Sequence, residues 1–226
     1  MDAWLEEILA DAERKVEGSP PWMRSAEWRA EIEKIEERKT KEKTMNKSKT
    51  WFSVDCETDG PCPGLYSLVS VGIVRVDRDL RTRAKFLFAP LEGADWQPEA
   101  LAVSGTSREA HLNYPPPSRE TVDMAEWVYA HTLPETEPCL VSDNPAFDGA
   151  FLAYYFHRFV GKNPFGHSGR RVGDLYAGLV GDAGRAGEWK QLRRTPHDHD
   201  PVNDAAGVAE AILRMAEMGL KVEGIS

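Results

Sequence analysis

Ten residues near the end of the chain, TPHDHDPVND (195–204), hold two histidines and three aspartates. The segment predicts a helix with Asp200 as its N-cap, a proline as its first residue and a glycine as its stop. His199 and Asp204 then take the positions before the cap and four residues into the helix, which meet across a first turn. We therefore expect these two side chains to approach each other and to take part in a reaction. The same pattern does not fix the position of the His197 side chain.

Two further acidic side chains lie in WFSVDCE (51–57), whose alternation predicts a strand. Asp55 and Glu57 project from one face, with Cα atoms about 6.6 Å apart, so they can share metal ions. Asp148 falls on the apolar stripe of a predicted helix, PAFDGAFLAYYFHRF (145–159). A carboxylate there is costly unless its charge is compensated. The alternative is a rotated helix with Asp148 at the edge of the stripe, in water.

The order of these segments resembles the motif pattern of a known family. VDCETDG (54–60), DNPAFDGAFL (143–152) and HDPVNDA (199–205) resemble the DxExxG, NxxxFDxxFL and HxxxxDA motifs of the DEDDh 3′→5′ exonucleases. That family includes ribonuclease T, oligoribonuclease and the proofreading subunit of bacterial DNA polymerase III. The resemblance covers about residues 51–220 and extends to VSGTSRE (103–109).

The resemblance implies a site of four carboxylates and one histidine. Asp55, Glu57, Asp148 and Asp204 would be the metal ligands, and His199 the general base that takes a proton from the attacking water. Oxygen ligands suit Mg²⁺ or Mn²⁺, and two such ions per site can support an in-line displacement at phosphorus. The expected reaction releases 5′-mononucleotides from single-stranded 3′ ends of DNA or RNA, and the sequence does not decide between the two sugars.

Substrate contacts are expected around this site. We assign substrate binding to Thr58 and Asn144, and we consider Phe147 and Tyr66 for stacking on terminal bases or, alternatively, for core packing. Basic segments flank the second and third motifs and predict contacts with backbone phosphates, unless they are simply solvated loops. Their members are Arg158, Lys162, Arg170, Arg171, Lys190, Arg193 and Arg194.

Three positions depart from the family pattern. Asp59 follows Thr58 where a second threonine is common, and it adds a negative charge near the site. Asp143 stands where many members have histidine, and Ser70 stands in the second strand where proofreading and ribonuclease T types often carry glutamate. None of these removes a metal ligand, but they leave the substrate contacts and the subfamily open.

The elements that must position these residues form an α/β pattern. Apolar segments at 65–76 and 82–90 extend the first strand into a predicted antiparallel meander. Helices are predicted from near Pro98 and after PPPS with Ser118 as N-cap, and PCLVS (138–142) predicts a short strand. Such an order predicts a ribonuclease H-like mixed five-stranded sheet flanked by helices.

The start of the chain is different in composition. Residues 1–48 are highly charged, with two helical patterns around GSPP, and predict a helical extension and linker before an exonuclease domain at 49–226. Met45 directly precedes that domain, so residues 1–44 are consistent with an alternative upstream start. We expect a solvated appendage or, alternatively, an arm that binds a protein partner. Three tryptophans are candidates for a homodimer interface: Trp4, Trp22 and Trp28.

Composition limits the remaining function classes. The formal charge of −9 over 226 residues argues against binding nucleic acid through a broad basic surface, but permits an acidic site that reaches phosphates through metal ions. No apolar run approaches the ~18 residues of a membrane helix, and no signal peptide is evident, so we expect a cytoplasmic protein without membrane contact. The three cysteines form no CxxC pair, which gives no indication of a zinc site.

Two alternative functions remain. One is a catalytically silent nucleic-acid-binding or polymerase-binding module on the same fold, although the retention of all five site residues argues against it. The other is an HD-type phosphohydrolase built on HDHD (197–200). That fold is all-helical and needs further spaced histidines, which the strands at 51–90 do not accommodate.

Overall fold

The computed structural model describes residues 48–222, 224 and 225. The extension predicted at 1–48, with its three tryptophans and Met45, lies outside the described residues except for Ser48. Within the part of the chain that is described, no helix has both the length and the apolar character needed to cross a membrane.

Five strands form one mixed sheet in the order β3-β2-β1-β4-β5. β1, β2 and β3 are an antiparallel meander, while β4 and β5 continue the sheet parallel to β1. The predicted mixed five-stranded sheet is thus confirmed. The strands are β1 (Lys49–Thr58), β2 (Leu68–Arg75), β3 (Arg83–Leu87), β4 (Glu137–Ser142) and β5 (Gly169–Arg171).

Six α-helices and a run of 3₁₀ turns at Ala183–Leu192 surround the sheet in the described residues. The predicted N-cap at Ser118 is wrong: the cap is Pro116 and Ser118 is already the second helical residue, because Pro117 is preorganised for the first position. The helices are α1 (Pro98–Val103), α2 (Arg108–Leu112), α3 (Pro117–Ala130), α4 (Pro145–Phe159), α5 (Val172–Val180) and α6 (Pro201–Glu217).

The sheet separates two apolar cores. Phe52 and Val54 of β1 pack with α3 and α4 on one face, while Trp51 packs with α5, α6 and the fully buried Trp189 on the other. Because side chains alternate along a strand, the odd-numbered residues of β1 face α6, and the Ser53 hydroxyl donates to the Ala205 carbonyl of α6 at 2.7 Å. This sheet is incompatible with the all-helical HD-type alternative.

Candidate active site

Two helices begin beside the carboxyl end of β1. α4 follows β4, which is parallel to β1, so its first turn lies at the same edge of the sheet. α6 begins with Asp200 as N-cap, as expected from the sequence. Its side chain accepts hydrogen bonds from the backbone N–H groups of Val202 and Asn203. In each helix the residue at position four is an aspartate, Asp148 or Asp204, so both carboxylates are delivered to one place by the same local pattern.

Gly72 allows α6 to come this close. It pairs directly with Asp55 across the β1–β2 ladder. A Cβ atom at Gly72 would lie 2.1 Å from the carbonyl carbon of Pro201, closer than any real contact. The first turn of α6 therefore rests directly on β2, opposite the first site carboxylate, and a side chain at position 72 would push it away.

Three of the four expected ligands lie together. One carboxylate oxygen from each of Asp55, Glu57 and Asp204 falls within 4.8 Å of the others. Asp148 stands beside this group and accepts a hydrogen bond from the Cys56 N–H at 3.2 Å. Asp148 is only 5% exposed, so the alternative that places it in water at the edge of its helix is wrong.

Burial, together with repulsion from neighbouring carboxylates, disfavours the charged forms of Asp55, Glu57 and Asp148. Desolvation, then the charges of neighbouring site carboxylates, raises the pKa of Glu57 from 4.5 to about 7. Desolvation raises the pKa of Asp148 to about 7, although the neighbouring Ser142 hydroxyl and the Cys56 N–H oppose the shift. Burial first, and Asp148 second, raise the pKa of Asp55 well above its ordinary value.

The donor set fits divalent cations that prefer oxygen. Four carboxylates held this close repel one another, and three of them, Asp55, Glu57 and Asp148, resist ionisation, so bound cations would stabilise the arrangement. Glu57 and Asp204 are 8% and 3% exposed, so few water molecules can replace such an ion. The four residues would therefore hold a divalent cation, and their role as ligands stays a prediction.

The two histidines are arranged differently from the sequence prediction. The ring of His199 faces Glu57, with Nδ1 3.7 Å from Oε1, and only its backbone N–H reaches Asp204, at 3.2 Å from Oδ2. The ring that contacts Asp204 belongs to His197, with Nδ1 2.8 Å from Oδ2. The expectation that His197 is unconstrained is thus wrong. His199 also has a positive φ of 60°, a backbone geometry that the pattern could not predict.

Arg193 and Arg194, both predicted to contact phosphates, are in different environments. Arg193 donates to Asp204 at 2.8 Å, and its side chain is 13% exposed. Arg194 is exposed, and within the described part of the chain its guanidinium has no hydrogen-bond or ion-pair partner. Of these two arginines, Arg194 is therefore the one available to a phosphate without breaking an internal contact among the residues that the structure describes.

The other predicted substrate-binding residues vary in accessibility. Thr58 is buried, and its hydroxyl donates to the Gly60 carbonyl at 2.8 Å. Asn144 is exposed and makes no side-chain cap bond, while Phe147 is partly buried against Phe151, with ring centroids 5.1 Å apart. The Tyr66 ring covers Gly60, where a Cβ atom would lie 2.1 Å away.

Asp59 does not leave an extra exposed charge near the site. It is fully buried, and its carboxylate accepts from the Ser67 N–H and pairs with Arg108 at 3.2 Å, beside the buried His111. Sequence patterns gave no sign of this network, because its members are far apart in the chain. It ties α2 to the turn that follows the first motif, next to Thr58.

The remaining departures and basic residues are mostly engaged in local contacts. Ser70 pairs directly with Glu57 across the sheet, and its alignment with the family's glutamate position stays a prediction. Lys190 lies 3.5 Å from Asp143. Arg158 contacts Tyr154, Arg170 contacts Cys139 and the Trp51 ring, and Arg171 contacts Asp174 and the Asp143 carbonyl.

Known proteins are similar to this chain in sequence and in fold. No family model matches the chain. The chain is 32% identical over 166 residues to the 3′-5′ DNA exonuclease Cap18 of Escherichia coli, a match that covers 71% of this chain and 88% of that protein. Among solved structures, the nuclease domain of 3′hExo, a DEDDh family member, bound to rAMP, has a TM-score of 0.62 at 12% identity, covering 78% of this chain and 96% of that chain.

Escherichia coli exonuclease I in complex with a dT13 oligonucleotide has a TM-score of 0.55 at 15% identity, covering 76% of this chain and 41% of that chain. This chain thus spans less than half the length of exonuclease I. The structural likenesses define a nuclease fold of the ribonuclease H-like type. With the Cap18 relative, they show that the chain belongs to the DEDDh family of 3′→5′ exonucleases.

Proposed function

We propose that this 3′→5′ exonuclease removes 5′-mononucleotides from the single-stranded 3′ end of DNA. The observation that carries the proposal is the convergence of Asp55, Glu57 and Asp204 within 4.8 Å, with Asp148 beside them and a histidine at the rim. DNA is favoured because the Cap18 relative is a DNA exonuclease and the exonuclease I structure holds a dT13 oligonucleotide.

The four carboxylates would hold two Mg²⁺ or Mn²⁺ ions. When bound, these ions supply an activated water and stabilise the leaving 3′-oxygen. The chain itself contributes the oxygen ligands, in a site whose raised pKa values favour exchange of a proton for a metal ion as pH increases. The proposal therefore includes a requirement for deprotonated Glu57 and Asp148.

His199 is proposed as the general base. Its ring is 45% exposed and stands 3.7 Å from Glu57, so it can reach a water molecule at the edge of the carboxylate group. The left-handed backbone at this residue, with φ of 60°, is uncommon for a non-glycine residue and is typical of functional sites. The substitution His199→Ala should thus remove the proposed proton acceptor and leave the four proposed carboxylate ligands in place.

Substrate contacts follow from accessibility. Asn144 is exposed at the start of α4, and Arg194 is exposed on the loop whose backbone is bonded to Glu210 of α6; we propose them as contacts to the 3′-terminal nucleotide and the phosphate backbone. Phe147 can present only the part of its ring that Phe151 leaves uncovered. Thr58 is proposed to act through its main chain, since its hydroxyl is already bonded to Gly60.

The test is nucleotide release from 5′-labelled single-stranded DNA and RNA, with Mg²⁺, Mn²⁺ or EDTA. We expect a ladder that shortens from the 3′ end of DNA in the presence of metal, and no ladder for Asp204→Ala. The matched control is Asp174→Ala, which removes an exposed aspartate of α5 and should leave the ladder unchanged.

Two results would change the proposal. A ladder on RNA alone would replace DNA as the substrate. Binding of oligonucleotides without any ladder, in every metal, would favour the silent binding module instead. A homodimer, a protein partner for the N-terminal extension and a cytoplasmic location remain predictions from the sequence.

A further inference from the structure

We propose that Arg193 is a positioning residue, which fixes Asp204 and the loop at 195–199 in the shape that binds metal, and that Gly207 is the residue that admits it. The proposal replaces the phosphate contact expected for Arg193 from the sequence. It rests on the proposed function only in taking Asp204 as a metal ligand.

The guanidinium of Arg193 is surrounded by acceptors of its own chain. Nη2 donates to Asp204 Oδ1 at 2.8 Å and to the Pro196 carbonyl at 2.9 Å, and Nε donates to the Thr195 carbonyl at 2.8 Å. A rigid planar fork can bridge these acceptors together, whereas an ammonium group has a different geometry. Two of the three bonds go to the main-chain carbonyls of Thr195 and Pro196, which are not among the proposed metal ligands.

Gly207 lies one turn beyond Asp204 on α6, directly beneath this guanidinium. A Cβ atom there would stand 2.5 Å from Nε and 2.7 Å from Cζ of Arg193. A glycine inside a helix costs roughly 0.5–1 kcal/mol relative to alanine. The space that this glycine leaves open is filled by Arg193 alone among the contacts described for it.

The same loop is tied to α6 at a second point. Glu210 accepts hydrogen bonds from the N–H groups of Arg194 and Thr195, at 2.6 and 2.8 Å, and from the Thr195 hydroxyl at 2.7 Å. The loop then leads to His199, whose N–H bonds to Asp204 Oδ2. Asp204 is thus held through one oxygen by Arg193 and through the other by the end of the loop.

The neighbouring arginine is a natural control. The side chain of Arg193 is 13% exposed and its charge is paired with Asp204. Arg194 is exposed and holds the loop only through its backbone N–H, which a side-chain substitution retains. If either arginine bound a phosphate, its substitution would raise KM for DNA. If Arg193 instead positions Asp204, its substitution would weaken metal binding even without DNA.

The experiment measures Mn²⁺ dissociation constants by electron paramagnetic resonance, without DNA, for the wild type, Arg193→Lys, Gly207→Ala and Arg194→Ala. We expect Arg193→Lys and Gly207→Ala to weaken Mn²⁺ binding by about 10–100-fold, the range for groups that orient metal ligands. Gly207→Ala is decisive because it displaces the guanidinium while every charge is kept. Arg194→Ala should bind Mn²⁺ as the wild type does.

Steady-state kinetics on DNA complete the design. Positioning by Arg193 predicts a lower kcat at limiting metal for Arg193→Lys and Gly207→Ala, with KM for DNA unchanged, and recovery of kcat at high metal. The proposal is overturned if either Arg193→Lys or Gly207→Ala binds Mn²⁺ as tightly as the wild type does, whatever its kinetics. If the wild type fails to degrade DNA, the proposed function fails, yet the Mn²⁺ constants still decide the role of Arg193.

Discussion

Two helix starts deliver an aspartate to the site in the same way and surround it differently. α4 and α6 each begin with a proline and place an aspartate fourth, and the N–H of Asp148 or Asp204 bonds to the carbonyl of the cap residue at 2.9 Å. Asp148 is then met by the Cys56 N–H of β1, a neutral group of the sheet. Asp204 is met by Arg193 and His197, from an irregular loop.

The same helix start thus places its aspartate in two different electrostatic environments. At α4 the protein supplies no cationic partner to Asp148 among the described contacts, so burial raises the pKa of this carboxyl to about 7. At α6 the chain brings a guanidinium to Asp204. Neutralising the two aspartates should therefore abolish the same activity but have opposite effects on the stability of the metal-free protein.

The largest expected effect is on catalysis. Asp148→Asn and Asp204→Asn should each lower kcat by more than about 10³-fold, the scale of loss for groups that act directly in a reaction. The physical reason is that each change removes an anionic group that we propose as a metal ligand. Nucleotide release at saturating Mg²⁺ measures it, and activity of either variant within tenfold of the wild type would contradict the ligand assignment.

Stability separates the two variants. An amide at position 148 can still accept from Cys56 and no longer carries a buried charge, so Asp148→Asn should raise the free energy of unfolding at pH 8. At position 204 both oxygens accept hydrogen bonds, so an amide leaves one donor without an acceptor, at a cost of about 1–3 kcal/mol. Urea unfolding in EDTA checks this, and equal shifts for both variants would refute the contrast.

Sequence patterns predicted the parts of this contrast that depend on regular structure. The helix predicted at 145–159 is α4, residue for residue, and Asp200 is the N-cap of α6. The contacts of the loop were not predictable, because they depend on a left-handed residue at 199 and on an arginine that folds back over α6. Periodicity indicates which face of a helix is buried, but it carries no information about irregular backbone.

The two histidines provide a second contrast. His199→Ala should lower kcat by about 10²–10⁴-fold, because its ring is the proposed proton acceptor beside Glu57. His197→Ala should lower it by about tenfold or less, since its ring contacts Asp204, a carboxylate that Arg193 already holds. The measurement is kcat across pH 5.5–9. Equal losses, or a larger loss at His197, would reverse the assignment of the general base.

Metal binding should depend on pH in a stated direction. The pKa of Glu57 is raised from 4.5 to about 7 in the folded protein, so the folded state binds protons more tightly than the unfolded chain and metal-free stability falls as pH rises through this window. Mg²⁺ at 100 times its dissociation constant should restore about 2.7 kcal/mol. Melting with Mg²⁺ or EDTA at pH 5.5 and pH 8 tests this.

The Mg²⁺-dependent rise in melting temperature should be larger at pH 8 than at pH 5.5. Asp148→Asn provides the matched control, because it should flatten the pH dependence of the metal-free protein as well as reduce the rise. A rise that is as large at pH 5.5 as at pH 8 would show that metal binding does not compete with protons at these carboxyl groups.

The close packing of α6 on β2 can be disrupted by a single substitution. Gly72→Ala places a Cβ atom against the Pro201 carbonyl and should cost about 1–3 kcal/mol, with a loss of activity because Asp204 moves away from Asp55. Gly178→Ala, in α5, meets nothing within 4 Å and should be neutral or stabilising by up to about 1 kcal/mol. Thermal unfolding and nucleotide release are compared for both, and wild-type behaviour of Gly72→Ala would refute the close packing of α6 on β2.

The smallest expected effect concerns the two N-cap residues, Asp200 of α6 and Asn144 of α4. Asp200→Ala removes the acceptor of two N–H groups at the start of α6 and should lower stability by about 0.5–2 kcal/mol. Asn144→Ala removes a side chain that makes no cap bond, so its stability should stay within about 0.5 kcal/mol of the wild type. If Asn144 contacts the substrate, KM for DNA should nevertheless rise in that variant alone. If KM for DNA stays at the wild-type value, Asn144 neither caps α4 nor binds the substrate. The start of α4 would then contribute to the site through the carboxylate of Asp148.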